Sequence, residues 1–75
     1  MDQYIIETKS GSFYKCFDKG KNNWTIIFEG TECSLLIAKN ETVRNLINCK
    51  AIFQINQTQN GQTSLVQAVY MRVAP

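Results

Sequence analysis

FDKGKNNWTIIFEGTECSLLIA, residues 17–38, decides the fold. Within it Trp24, Ile26 and Phe28 alternate with Thr25, Ile27 and Glu29. Cys33, Leu35 and Ile37 then alternate with Ser34, Leu36 and Ala38. A period of two in runs rich in Ile, Thr and aromatics marks strands with one buried face. The polar run 19–23 ahead of Trp24 reads as a loop, and Gly30-Thr31 as a tight connection. The stretch is therefore a hairpin, entered through a basic loop that leads into the chain's only tryptophan.

The same period extends in both directions. Tyr4, Ile6 and Thr8 alternate with Ile5, Glu7 and Lys9, and Phe13, Lys15 and Phe17 with Tyr14 and Cys16. Ala51, Phe53 and Ile55 share a face. Leu65, Val69, Met71 and Val73 oppose Val66, Ala68, Tyr70 and Arg72. Ser10-Gly11-Ser12 interrupts the first run and reads as a bend or bulge in one long strand, because glycine tolerates a sharp change of direction. Asn60-Gly61 carries the strongest hairpin-turn signal, since both residues accept the positive φ of a type I′ turn. Only 39–49 breaks the pattern. Val43, Leu46 and Ile47 fall at helical spacing, Asn40 is placed to cap, Glu41 complements the helix dipole and Asn48 suits a left-handed stop. This predicts a helix of about two turns.

The element order predicts an all-β domain over 1–75. It is a small five-stranded antiparallel barrel of OB type, with one short helix between strands 3 and 4. An SH3-like barrel, with a single helical turn late in the chain, is the alternative, and a two-layer α+β domain is the third choice. A closed sheet hides its edges, which suits a chain of 75 residues with little surface to bury.

Composition excludes several classes. At 44% hydrophobic residues and a net charge of +2 the chain is not a disordered segment. No apolar run approaches a membrane span, and the first residues lack the apolar stretch of a secretory signal. Cys16, Cys33 and Cys49 are an odd set with no close pair, and histidine is absent. They read as small buried hydrophobes in a reducing cytoplasm rather than as a disulfide framework or metal site. Neither catalytic residues nor a cofactor site is expected, and without a glycine-rich phosphate loop a nucleotide pocket has little support.

What is left points to binding. Lys9, Lys15, Lys19 and Lys21 crowd one region in which Asp18 is the only acid. Phe13, Phe17, Phe28 and Phe53 are assigned to the core, and Tyr14 and Tyr70 to the opposite face of their strands. Trp24 begins a strand beside the basic loop. Exposed rings next to ammonium groups suit single-stranded nucleic acid, whose bases stack while its phosphates meet the cations. Tyr14 and Trp24 are the expected stacking residues, and Lys15, Lys19 and Lys21 the expected phosphate contacts. The uncharged loop 56–63 supplies hydrogen bonds, with Asn60 at its tip.

The C-terminal stretch FQINQTQNGQTSLVQAVYMRVAP is similar to the end of the single-stranded-DNA-binding proteins of filamentous phages, with Leu65, Arg72, Val73 and Pro75 in comparable places. That resemblance implies an OB-fold homodimer that binds single strands stoichiometrically without a cofactor. Where that family carries a long protruding hairpin, residues 28–32 are a short acidic connection. The other reading is a small phage or mobile-element protein that binds and inhibits a host protein. Exposed Tyr and Trp beside a Gln/Asn-rich loop suit such an interface.

Overall fold

The computed structural model describes residues 3–72. It is an all-antiparallel closed barrel of six strands. These are β1 (Gln3–Thr8), β2 (Phe13–Asp18), β3 (Trp24–Phe28), β4 (Thr31–Leu35), β5 (Lys50–Asn56) and β6 (Gln59–Arg72). Each strand pairs with its neighbours in sequence, and β6 closes the cylinder on β1. This is the order of an up-and-down barrel, whereas an OB-fold follows a Greek key.

The extra strand comes from Gly11. Its φ of +88° lets the chain reverse completely where a bend in one strand was expected. The Gly11 amide donates to the Thr8 carbonyl and the Thr8 amide to the Ser12 carbonyl, both at 2.9 Å. The buried Thr8 hydroxyl accepts from the Ser12 amide at 3.2 Å. Between β3 and β4, Glu29 (φ +51°) and Gly30 (φ +79°) form the two-residue turn whose twist matches that of paired strands.

Asn60-Gly61 is not a turn. The chain reverses at Gln57-Thr58, where the Asn56 side-chain oxygen accepts from the Thr58 amide at 2.9 Å. Gly61 instead lies inside β6, opposite Phe53. A Cβ there would stand 2.7 Å from two ring carbons of Phe53, so glycine makes room for the largest fully buried side chain.

The helix is one 3₁₀ turn, Val43–Leu46, between β4 and β5. It is shorter than expected because Thr42 (φ −120°, ψ 167°) and Ile47 (ψ 129°) leave the helical conformation on either side. Thr42, not Asn40, is the cap. Its hydroxyl accepts from the Arg44 amide at 3.2 Å, and its own amide donates to the Asn45 side chain at 3.1 Å. Val43 and Leu46 plug the barrel, while Ile47 stays exposed.

An inward row runs Tyr4, Cys16, Ile26, Cys33 across β1 to β4. Large side chains alternate with small thiols, which lets neighbours interdigitate in a narrow cylinder. Burial pushes the Cys16 thiol up to about 12, so it stays protonated as a packing group. Cys33 is also buried, but Cys49 is exposed, contrary to expectation. The row also sets the phase of β2. Tyr14 and Cys16 face in, so Phe13 and Phe17, expected in the core, face out.

β6 spans the whole cylinder. Its first half pairs with β5 and its second half with β1. Each half of β6 thus already uses one of its edges, which leaves less edge for a second copy of the chain to pair with. Val73 and Pro75 lie outside the described residues. No helix among the described residues is long and apolar enough to cross a membrane.

Candidate nucleic-acid interface

Strand pairing builds a grid of outward side chains from β6, β1 and β2. Arg72, Gln3 and Phe17 form one row, Tyr70, Ile5 and Lys15 the next, and Ala68, Glu7 and Phe13 the third. Phe13 is 62% exposed and Tyr70 51%, while Phe17 is half-buried. Lys15 sits between the two phenylalanines on its strand. The face thus presents rings along its two outer strands with cations beside them.

Lys19 extends this arrangement. Its ammonium lies 5.7 Å from the centre of the Phe17 ring and 3.2 Å from a Glu32 oxygen. The ring holds the stem near the grid, and the exposed ion pair contributes little to stability. Glu7 is the one acid within the grid, and it is held at both oxygens. The Tyr70 hydroxyl donates to Oε1 and Gln67 Nε2 donates to Oε2, each at 2.8 Å. The hydrogen bond to Glu7, and next the negative charge of Glu7, push the Tyr70 hydroxyl above its ordinary pKa.

An outward row continues round the barrel from Phe17 through Thr25, Ser34 and Gln54 to Asn60. Starting from Arg72, it leaves and returns to β6, so the strands are strongly staggered. Thr25, next to Phe17 in this row, is buried, and its hydroxyl has no hydrogen-bond partner among the described residues. A recess of about 230 Å³ opens at one barrel mouth, lined by Phe28, Glu29, Thr31, Cys33, Ile55 and Gln59.

The expected site residues separate. Lys15 lies on the grid and Lys19 borders it. Lys21 stands at the exposed tip of the β2–β3 loop, with a φ of +54°. Asn60 is exposed but lies opposite Gln54, at the far end of the outward row. Trp24 and Tyr14 are not on the platform. Trp24 is only 4% exposed and meets Tyr4 edge-on at 5.2 Å. Tyr14 faces inward and stacks on Phe28 at 6.3 Å. The chain places Trp24 on the same face as Ile26 and Phe28, and that face is the core. The rings that face solvent on the grid are Phe13, Phe17 and Tyr70. Only the phase of β2, set by Cys16, reveals the two phenylalanines.

Comparison with protein-family models, with curated proteins and with solved structures finds no match to this chain.

Proposed function

We propose that this domain binds single-stranded nucleic acid, without catalysis, along the outward face of β6, β1 and β2. The observation that carries the reading is Phe13, Phe17 and Tyr70 spread over one sheet face with Lys15 among them. Bases stack on such rings whatever their identity, each contact contributing about 1–3 kcal/mol. Lys15, Lys19 and Arg72 meet the phosphates, a phosphate displacing Glu32 from Lys19.

The test is a titration of a labelled oligo-dT by fluorescence anisotropy at two ionic strengths. Three phosphate contacts give a log–log salt slope of about −2 for a single strand. Affinity should then fall about 20-fold between 50 and 200 mM salt. Absence of binding at low salt, or binding insensitive to salt, contradicts the proposal.

One observation favours a protein partner on the opposite side. Leu36, just past β4, and Ile52 on β5 are exposed neighbours, joined by a 2.8 Å bond from the Leu36 amide to the Ile52 carbonyl. A host protein bound there would leave the aromatic grid untouched.

A further inference from the structure

The grid contains an acceptor that is held in position by two hydrogen bonds. Glu7 lies directly opposite Phe13 on β2 and Ala68 on β6. Phe13 offers an exposed ring, and Ala68 places only a methyl group on the other side of Glu7. Tyr70 and Gln67 hold one oxygen each. A carboxylate has about four acceptor positions, so roughly half stay open. A side chain held at both oxygens loses less freedom when a further donor arrives.

We infer that Glu7 makes this surface prefer guanine over the other bases, an inference that rests on the nucleic-acid reading above. A base stacked on Phe13 turns its edge toward the neighbouring strand, where Glu7 stands. In a single strand the Watson–Crick edge is free. Guanine presents two adjacent donors there, N1–H and the N2 amino group, which match the paired oxygens of a carboxylate. Adenine and cytosine each present one amino donor beside a ring-nitrogen acceptor. Thymine and uracil present one N–H flanked by two carbonyl oxygens. Those acceptors face the negative charge of Glu7 and are disfavoured, so the discrimination combines attraction and repulsion.

The experiment compares nine-nucleotide oligo-dT with the same strand carrying one central dG, dA or dC. The proteins are the native chain and the variants Glu7→Gln and Tyr70→Phe. The native protein should bind the dG strand about 5- to 150-fold more tightly than oligo-dT, the range of a good bidentate base contact. Glu7→Gln keeps an acceptor for the Tyr70 hydroxyl but sets an amide donor against one guanine donor. It should reduce the preference to within about twofold while still binding oligo-dT. Tyr70→Phe keeps the ring and frees Oε1, and should lower the preference partway. Equal affinity for all four strands, or a guanine preference that survives in Glu7→Gln, overturns the inference and leaves the nucleic-acid reading standing. Failure to bind any strand overturns both.

Discussion

Phe53→Ala should lower the urea midpoint of the domain by about 1 M or more. Phe53 is fully buried, meets the Phe28 ring at 4.7 Å with the planes tilted by 40°, and packs over Gly61. Truncating a buried phenylalanine costs about 3–5 kcal/mol, from lost burial and the cavity left behind. A chain of 75 residues has a total stability of about 4–11 kcal/mol at the usual value per residue. The substitution therefore removes about a quarter of it or more, and most or all of it at the lower end. Because Trp24 is buried against Tyr4, its emission reports this loss directly in a urea titration. A midpoint within a few tenths molar of the native protein would show that the Phe53–Gly61 contact does not hold the barrel together. Gly61→Ala should act in the same direction by about 1–3 kcal/mol, since the new methyl meets a ring that has no room to move.

The second large effect is on binding. Phe13→Ala combined with Tyr70→Ala should weaken oligo-dT binding by at least about 30-fold, from two stacking contacts of about 1–3 kcal/mol each. Both side chains are about half exposed or more, so the fold should survive with little change in the urea midpoint. Tyr14→Phe is the control, because Tyr14 faces the interior. It should leave affinity unchanged. Equal loss in Phe13→Ala/Tyr70→Ala and Tyr14→Phe would place the contact elsewhere.

The barrel was readable because alternation in a strand records which face is buried. Trp24, Ile26 and Phe28 were grouped correctly, as were the turn at Gly30 and the left-handed Asn48. Three features were hidden for physical reasons. In FYKCF an aromatic occurs at both parities, so periodicity alone cannot give the phase of β2. The narrow interior selects the small Cys16 opposite Tyr4 and turns Phe13 and Phe17 outward. At Asn60-Gly61 a local preference for turning competes with a ring that needs a position without Cβ, and the packing prevails. At Gly11 the same residue permits a bend or a complete reversal, and only the pairing of β1 with β2 distinguishes them.

For the candidate site, the basic character around residues 9–21 was legible, and Lys15 and Lys19 reached the surface as expected. The rings were not, because an aromatic that begins a strand beside a charged loop looks exposed until the facing elements are known. Trp24 is covered by Tyr4, which is twenty residues earlier in the chain. Glu7 gave no signal either, since its partners Gln67 and Tyr70 meet it only through the closure of β6 on β1.

The most direct measurement is a map of amide and side-chain NMR shifts during titration with a short oligo-dT at low salt. The proposed surface predicts the largest changes at Ile5, Glu7, Phe13, Lys15, Phe17 and Tyr70, with Leu36 and Ile52 unmoved. Changes centred on Leu36 and Ile52, or spread evenly with none at Phe13 and Tyr70, would contradict it.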